Sequence, residues 1–430
     1  MNNGLELVAS NIADYVSNNL QNKYNTIRSH SEILCEPLEN EDYGIQTTPF
    51  VSPPKWHLAH TAWFFETLLL KPYYPDYQEY HPLFAELFNS YYDTIGDYYA
   101  RPERGLLSRP TVKEVYAYRA YIDEHMNKLM RLLEDHPNKA EIEHRIILGL
   151  NHEQQHQELL LTDIKHIFAY NPLKPVYRKT PQSEKSHPTT LQYLQFSGGL
   201  KDVGHVGSDF CYDNELPRHK VYIPNFRLAS RLITNAEYLE FMNSGAYQES
   251  DYWLSDAWKA IKQQNWNAPL YWQKQQNQWH TMTLNGLQPI DENQPVCHVS
   301  YYEAAAYARW AGKRLPTEQE WEVVAENVEI KGNFRESGLL NPKPASNSTD
   351  IQQMFGDVWE WTQSPYSPYP GYKQLRGPLG EYNGKFMSSQ MVLRGGSCVT
   401  PSDHLRSSYR NFFYPEERWQ FSGIRLAEDS

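Results

Sequence analysis

Apolar residues recur every three to four positions through residues 5–170, which is the spacing of one face of an α-helix. Four segments carry this pattern: residues 5–16, Trp56–Leu70, residues 115–132 and Ala140–Ala169. A long connection separates the second segment from the third. The pattern therefore predicts that residues 1–172 form a helical domain, with its helices arranged as a four-helix bundle.

The pattern changes after residue 172. Residues 173–190 are rich in Pro, Lys, Ser and Thr, which is typical of a linker. From residue 191 onward, short apolar pieces alternate with turns of Gly, Pro, Asn and Asp, so residues 191–430 are expected to form a loop-rich α+β domain. The best helix and strand patterns in this part are Asn235–Asn243, Tyr302–Ala311, Lys220–Ile223 and Met391–Arg394.

Composition narrows the class of protein. The 430 residues are enough for two or three domains, and the net charge of −12 argues against a nucleic-acid-binding protein. No apolar run approaches the length of a membrane span, and no signal peptide is visible. The four cysteines are far apart without a CxxC pair, which indicates reduced thiols and a cytoplasmic protein. Tyrosine is unusually frequent at 32 residues.

The strongest chemical signal is a histidine pair. His152 and His156 are four positions apart, so on a helix their imidazoles share one face and can hold one metal ion. The same letters spell the zinc-protease motif H-E-x-x-H, but no third ligand follows before the linker, which disfavours a protease. Glu153 points to another helical face and is expected to be structural.

A third histidine lies upstream on a different predicted helix. With His60, the pair His152 and His156 forms a facial trio that leaves three positions of an octahedral metal open. This arrangement suits a non-haem Fe(II) that binds substrate and O₂ together. His57 stays unassigned, because it can be a hydrogen-bond partner of the site or a helix-capping residue.

Five motifs of the second half occur in a fixed order. They are ITNAEYLEFMN (Ile233–Asn243), the segment Pro295–Ala325, GDVWEWTQS (Gly356–Ser364), RGGS (Arg394–Ser397) and GIRLAED (Gly423–Asp429). Together they resemble the formylglycine-generating-enzyme (sulfatase-modifying factor) domain, a variant of the C-type lectin fold. In the first half, WHLAH and HEQQHQELL resemble the DinB-like metal-binding domain. The two domains in this order resemble the sulfoxide synthases of the ergothioneine and ovothiol pathways. Those enzymes use non-haem iron and O₂ to join a cysteine sulfur to the imidazole of a histidine derivative.

The resemblance implies roles for individual residues of the first half. The iron ligands of the family fall on His60, His152 and His156. Gln155 falls on a glutamine that hydrogen-bonds the substrate imidazole. Arg101 and Arg104 match an Arg-x-x-Arg pair that holds the carboxylate of the thiol substrate, a task that suits guanidinium groups. Without the resemblance, the same pair indicates a solvated basic turn.

Four tyrosines are candidates for a role beside the iron. Tyr91 and Tyr92 precede the arginine pair, and a phenol there can donate a proton or an electron, or shift a proton from the imidazole. Tyr366 is a rival catalytic candidate, and Tyr369 is a rival that we assign to substrate binding. The alternative for the last two is a proline–tyrosine turn packed on the domain surface.

A run near the C-terminus concerns substrate choice. By resemblance, Asn411 hydrogen-bonds the carboxylate of the histidine derivative, and Phe412 offers a ring face to its trimethylammonium group. At Phe413, mycobacterial-type relatives have an aspartate that binds the amine of a γ-glutamyl group. Phenylalanine cannot do this, so free cysteine rather than γ-glutamylcysteine is the expected sulfur donor.

Departures from the family pattern sharpen the prediction. Cys398 stands alone where formylglycine-generating enzymes need a cysteine pair, so that activity is not expected. Asp357 replaces the usual asparagine of the G-N-V-W-E-W signature, a change expected to leave the turn intact. No methyltransferase sequence follows, which favours hercynine (trimethylated histidine) over histidine as the acceptor.

The expected reaction is Fe(II)- and O₂-dependent C–S bond formation between cysteine and hercynine, giving hercynyl-cysteine sulfoxide. The expected partners are these small molecules, with no nucleic acid and no membrane, and the oligomeric state is not predicted. Alternatives within this chemistry are histidine as acceptor, or γ-glutamylcysteine or a selenosugar as donor. Alternatives of other classes are a zinc metallohydrolase or thiol transferase, and a lectin-like binding module.

Overall fold

The computed structural model describes residues 19–179 and 189–430. The chain divides into two compact units, Met1–Ile167 and Phe168–Ser430. The predicted helix at residues 5–16 lies outside the described residues, as does the centre of the predicted linker. The domain boundaries given above therefore stay predictions.

The first unit is helical. Among the described residues, its helices are α1 (residues 19–33), α2 (Pro54–Phe65), α3 (Lys71–Tyr73), α4 (Phe84–Leu87), α5 (Val112–Arg131) and α6 (Lys139–Tyr170). Helix α2 has proline at its first position, where the missing N–H costs nothing, and α5 begins with a capping box between Thr111 and Glu114. No described helix is long and apolar enough to cross a membrane. The arrangement as a four-helix bundle stays a prediction.

A buried ionic network joins the four longer helices. Glu153 on α6 is fully buried and accepts hydrogen bonds from Arg28 Nη1 on α1 at 2.8 Å and Arg119 Nη2 on α5 at 3.0 Å. Arg119 also donates to Thr61 Oγ1 on α2 at 2.9 Å. Although burial raises the pKa of Glu153, the two guanidinium groups bring it below its ordinary value. The network holds α2 and α6 side by side, and these are the helices that carry the histidines.

In its described residues, the second unit combines helices with four small sheets. Its helices are α7 (Asn235–Asn243), α8 (Ser255–Gln264), α9 (Tyr301–Trp310) and α10 (Glu318–Ala325). Its strands are β1 (Tyr193–Phe196), β2 (Gly199–Val203), β3 (His219–Ile223), β4 (Phe226–Ala229), β5 (Trp272–Gln275), β6 (Gln278–Thr283), β7 (Gly286–Pro289), β8 (Trp359–Pro365), β9 (Met391–Arg394), β10 (Asn411–Phe413), β11 (Ser422–Gly423) and β12 (Ala427–Asp429). The sheets have the strand orders β1-β4-β12, β10-β9-β8-β11, β2-β3 and β5-β6-β7. All strand pairs are antiparallel except β8 with β11.

The predicted helices coincide with α7 and, within one residue, with α9. Sequence reasoning missed α8 and α10. Helix α8 is short and buries only Ala257 and Ile261, so its apolar face covers too few positions to stand out. Helix α10 did carry a signal, because Thr317 and Glu320 form a capping box at its start.

Candidate metal centre

Three histidines of the first unit converge on one point. One ring nitrogen of each of His60, His152 and His156 lies within 4.8 Å of the others. His60 comes from α2, whereas His152 and His156 are one turn apart on α6. The Nε2 atoms of His60 and His152 are 3.2 Å apart. Two imidazole nitrogens on adjacent positions of one octahedral metal are about 3 Å apart if each bond is about 2.1 Å.

The ring of His60 is fixed on its remaining side. Its Nδ1 lies 2.6 Å from the backbone oxygen of Phe88, and because a carbonyl only accepts, Nδ1 carries the hydrogen. The ring also stacks on Trp56, one turn before it, with centroids 4.5 Å apart, and on Trp63, one turn after it, at 5.3 Å. Nε2 of His60 is therefore the nitrogen with a lone pair to give.

His57 lies between the third histidine and a carboxylate. Its Nδ1 is 2.9 Å from Nδ1 of His156, and its Nε2 is 2.9 Å from Oδ2 of Asp163. His57 and Asp163 are 4% and 2% exposed. The role of His57 is open from the sequence alone, and Asp163 is not among the candidate residues that the sequence indicates. The signal was available, because Asp163 lies seven residues after His156, two turns along the same face of α6.

Burial keeps the three converging imidazoles neutral. It lowers the pKa of His152 to about 3 and the pKa values of His60 and His156 well below their ordinary value. Neighbouring imidazoles and the Arg104 guanidinium lower the pKa values of His60 and His156 further. A metal ion binds imidazole in its neutral form. Three neutral nitrogens with this spacing fit a first-row divalent metal such as Fe(II).

The two arginines of the predicted pair have different environments. Arg104 is 3% exposed, its Cζ lies 3.4 Å from the ring centroid of Trp56, and its Nη1 donates to Ser52 Oγ at 3.0 Å. Among the described residues, its Nε has no hydrogen-bond partner and the guanidinium forms no ion pair. Burial and the neighbouring charge of Arg101 lower the pKa of Arg104. Arg101 itself is exposed and donates to the backbone oxygen of Phe50.

Other predicted residues of the first unit lie around this centre. Tyr92 is fully buried, and its ring centroid is 5.4 Å from that of Trp63, which stacks on His60. Tyr91 is half-buried and stacks on Tyr92 at 4.6 Å. Gln155 is half-buried on α6, directly before His156. An aromatic series thus connects the centre with Tyr91.

The predicted tyrosines of the second unit are buried. Tyr366 is 1% exposed and Tyr369 is 5% exposed, so they do not form a turn on the domain surface. The ring of Tyr366 stacks on Phe412 with centroids 4.0 Å apart, and its hydroxyl accepts a hydrogen bond from Asn214 Nδ2 at 2.9 Å. Burial raises the pKa of both phenols, so they stay protonated at neutral pH.

Charged residues surround these phenols and pair with one another. Arg410 Cζ lies 4.1 Å from the ring centroid of Tyr369, and Arg410 Nε donates to Glu318 Oε2 at 2.8 Å. Arg394 Nη2 donates to Glu318 Oε2 at 3.3 Å and also to Glu322 Oε2. We call this set the arginine–tyrosine cluster: Tyr366, Tyr369, Arg394, Arg410, Glu318 and Glu322.

Strand β10 places the remaining candidates beside this cluster. Asn411, Phe412 and Phe413 are all half-buried. The Oδ1 of Asn411 accepts from the backbone N–H of Phe412 at 2.9 Å. Phe413 packs edge-on against Trp419 at 5.4 Å. The structure thus brings Tyr366 and Phe412 together in the second unit, and the histidines, Arg104 and Tyr92 together in the first.

Comparison with known proteins matches both parts of the chain. Residues 24–160 match the DinB superfamily, and residues 178–344 and 328–430 match the sulfatase-modifying factor enzyme 1-like domain. The hercynine oxygenase of Mycolicibacterium smegmatis is 32% identical over 411 residues, which cover 89% of this chain and 92% of that protein. The chain belongs to the hercynine oxygenase family.

Other members of the family and its pathway agree. The hercynine oxygenase of Mycobacterium tuberculosis is 31% identical over 89% of this chain and 92% of its own length. Ergothioneine biosynthesis protein 1 of Schizosaccharomyces pombe is 28% identical over 59% of this chain and 33% of its own length. Family membership makes the chain an oxygenase rather than a binding module. It also confirms the predicted pair of a DinB-like helical domain and a C-type-lectin-like domain.

Proposed function

We propose that this oxygenase joins cysteine to hercynine with Fe(II) and O₂ and releases hercynyl-cysteine sulfoxide. One observation carries the proposal: three neutral imidazoles converge on one point in a chain whose relatives are named hercynine oxygenases. The reaction balances without a further reductant. Forming the C–S bond and oxidising the sulfur each remove two electrons, and O₂ takes up all four as the sulfoxide oxygen and one water.

The histidine trio would hold the iron. His60, His152 and His156 supply three uncharged ligands, so the metal would keep its full positive charge for an anionic thiolate. When bound, Fe(II) supplies the activation of O₂, which no side chain of this protein can supply alone. The chain's own task is to hold the two substrates in reach of that metal and to manage the protons they release.

Arg104 is the best-supported contact for the cysteine carboxylate. A guanidinium buried without a carboxylate partner is costly unless a ligand supplies the anion. Its Nε hydrogen is the donor that lacks a partner, and it can serve one carboxylate oxygen. Arg101 is exposed and would contribute a weaker, solvent-screened attraction.

Three residues are proposed to bind hercynine, and a fourth is proposed to determine which thiol serves as the sulfur donor. Gln155 would hydrogen-bond the hercynine imidazole, Asn411 would donate to its carboxylate, and Phe412 would face its trimethylammonium group. The ring of Phe412 already stacks with Tyr366 at 4.0 Å and with Phe386 at 6.0 Å, so these two contacts limit the ring area left for the trimethylammonium group. Phe413 offers no acceptor for an amine, which supports free cysteine over γ-glutamylcysteine. Tyr369 is proposed to contact substrate as part of the same cluster.

A buried phenol would supply the proton. Tyr366 accepts a hydrogen bond from Asn214, and its own hydrogen has no acceptor among the described residues. Because burial raises its pKa, this phenol would act as an acid rather than as a base. Tyr91 and Tyr92 are the rivals in the first unit, where Tyr92 packs on Trp63.

Mass spectrometry of the product tests the proposal. Purified protein is loaded anaerobically with Fe(II), mixed with cysteine and hercynine, and then given O₂. The expected product has the mass of both substrates plus O₂ less one water, and it forms only when both substrates are present. Parallel reactions with histidine, γ-glutamylcysteine and a selenosugar test the acceptor and the donor. A better yield with γ-glutamylcysteine would contradict the role given to Phe413.

A zinc hydrolase is less well supported. In a protease of the H-E-x-x-H type, the glutamate is the general base. Here Glu153 accepts from Arg28, Arg119 and Ser31, so both of its oxygens are engaged away from the histidines. Turnover of a substrate with zinc and without O₂ would nevertheless favour the hydrolase.

A further inference from the structure

A chain of hydrogen bonds connects the third histidine of the centre with a buried carboxylate. Asp163 Oδ2 accepts from the backbone N–H of Ser52 at 2.8 Å and lies 2.9 Å from Nε2 of His57. Nδ1 of His57 lies 2.9 Å from Nδ1 of His156. These contacts are shielded from solvent, because His57 and Asp163 are almost fully buried.

The positions of the hydrogens follow from what each atom can do. An ionised carboxylate only accepts, so Nε2 of His57 carries the hydrogen of the bond to Asp163. If the ring of His57 carries this single hydrogen, its Nδ1 is bare and can only accept. Nδ1 of His156 must therefore carry the hydrogen between the two rings, and its Nε2 is left with a lone pair.

We propose that His57 and Asp163 are positioning residues that select the metal-binding nitrogen of His156, and that His57 is not itself a ligand. A neutral imidazole has one lone pair, and that of His57 is already occupied by the N–H of His156. This inference rests on the proposed function only for the presence of a metal at the histidine trio. It does not depend on which substrates the enzyme uses.

His60 provides an internal comparison. Its Nδ1 hydrogen is held by the backbone oxygen of Phe88, which no substitution removes. His156 obtains the same control from two side chains, so its orientation is open to mutation. Hydrogen-bond partners of ligating histidines also raise the basicity of the ligand, and their loss costs about 10- to 100-fold in metal affinity. The carboxylate of Asp163 would add this effect through His57.

Metal titration of matched variants tests the proposal. His57→Phe keeps an aromatic ring but offers no acceptor to His156, whereas the amide oxygen of His57→Gln can accept the same hydrogen. Fe(II) and Co(II) affinities are measured anaerobically, and the Co(II) absorption spectrum reports the ligand set. We expect His57→Phe to lose about 10- to 100-fold in affinity, with one metal still bound at saturation. We expect His57→Gln to recover most of this loss with the wild-type Co(II) spectrum.

Variants of the carboxylate extend the test. Asp163→Asn keeps an oxygen for His57 and should cost less affinity than Asp163→Leu, which keeps none. His166→Phe is the control, because His166 is buried on the same helix but bonds to Thr47 at 2.7 Å. We expect its metal affinity to match that of the wild type. Circular dichroism confirms that each variant is folded before titration, and the near-isosteric Asp163→Asn and His57→Gln keep the test available if larger changes unfold the protein.

Three outcomes would overturn the proposal. Unchanged affinity in both His57→Phe and Asp163→Leu would remove the positioning role. A changed Co(II) spectrum at saturation in both His57 variants would make His57 a ligand. An equal loss in His166→Phe would indicate a general packing effect. Normal metal binding with no sulfoxide product would instead contradict the proposed reaction alone.

Discussion

The histidine trio and the arginine–tyrosine cluster are both polar and largely buried, yet only the cluster pairs opposite charges within the fold. In the cluster, the guanidinium groups of Arg394 and Arg410 meet the carboxylates of Glu318 and Glu322. In the trio, one nitrogen of each of His60 and His156 is held by a neighbour, which leaves each ring one further nitrogen for a metal ion. Buried charges that are paired with one another stabilise a fold. Buried ligand atoms that have no partner within the fold are typical of a binding site.

Arg104 and Arg410 show the same difference between an unpaired and a paired buried charge. Both are buried and both lie over an aromatic ring, Arg104 over Trp56 at 3.4 Å and Arg410 over Tyr369 at 4.1 Å. Burial lowers the pKa of Arg104. Burial also acts to lower that of Arg410, but Glu318 raises it above the ordinary value. Arg410 thus forms an ion pair within the fold, whereas Arg104 forms none among the described residues and is affected by the Asp163 carboxylate only from beyond salt-bridge distance.

The largest expected effect is the loss of the metal in His60→Ala. Removing one of three ligands, the one that links α2 to the trio, should reduce bound Fe(II) from one per chain to almost none and abolish product formation. Metal content after anaerobic loading and desalting measures the first, and mass spectrometry the second. His125→Ala is the control, since His125 bonds to the backbone of its own helix. Full metal occupancy in His60→Ala would mean that the trio does not form the site.

Glu318→Gln should have the opposite profile. Glu318 is 3% exposed and pairs with both Arg410 and Arg394, so its loss leaves buried positive charge uncompensated. We expect the free energy of unfolding to fall by about 3–5 kcal/mol, with metal stoichiometry unchanged. Denaturant titration followed by tryptophan fluorescence measures the first quantity. A destabilisation below about 1 kcal/mol, the size typical of a surface pair, would contradict the assignment of this cluster to stability.

Asp357→Asn should stabilise the protein, and only above a defined pH. Asp357 is 1% exposed and is bound by amide donors, Asn333 Nδ2 and the N–H of Lys343. Burial raises its pKa from 3.8 to about 6. The unfolded chain therefore binds fewer protons between these values, and the wild-type free energy of unfolding falls as the pH rises through about 4 to 6.

The asparagine variant lacks this titration. At pH 7 it should be more stable by about 3 kcal/mol, which corresponds to a shift of roughly two pKa units. At pH 3.5 the two proteins should unfold at nearly the same denaturant concentration. A constant difference across this range would show that ionisation of Asp357 is not the cause. The comparison with Glu318 is direct, because there a guanidinium compensates the buried carboxylate.

The difference between the two units also explains what the sequence could predict. His152 and His156 were found because helical spacing places residues i and i+4 on one face, whatever surrounds them. The bonds that fill the arginine–tyrosine cluster join Glu318 at the start of α10 to arginines more than seventy residues away, and no local pattern encodes that pairing. Asp163 and His57 lie between these cases. Their spacing was visible, but their role depends on two helices meeting.

Arg104→Gln should separate binding from stability. It removes a buried cation that has no ion pair among the described residues, so the free energy of unfolding should stay the same or rise. We expect KM for cysteine to increase about 10- to 100-fold, as for loss of a charged hydrogen bond of about 1.5–3 kcal/mol, with a smaller change in kcat. Arg101→Gln is the matched control and should change KM less, because Arg101 is exposed. Destabilisation without a change in KM would place Arg104 with the structural arginines.

The smallest expected effect is that of Tyr366→Phe. This variant tests whether the arginine–tyrosine cluster has only a structural role. Loss of the hydroxyl removes the acceptor for Asn214 Nδ2 and should cost about 1 kcal/mol of unfolding free energy. If this phenol supplies the proton, the variant should also divert cysteine towards simple dioxygenation, which the ratio of cysteine sulfinate to sulfoxide product measures. Tyr91→Phe and Tyr92→Phe are the comparison, since those rings lie in the first unit. If the ratio changes in Tyr366→Phe alone, Tyr366 has a catalytic role although the charges of its cluster are paired. Its hydroxyl accepts one hydrogen bond, and the hydroxyl hydrogen remains available for transfer. If the ratio of sulfinate to sulfoxide changes only in Tyr91→Phe and Tyr92→Phe, the arginine–tyrosine cluster has a structural role, and the phenol that acts in the reaction lies in the first unit.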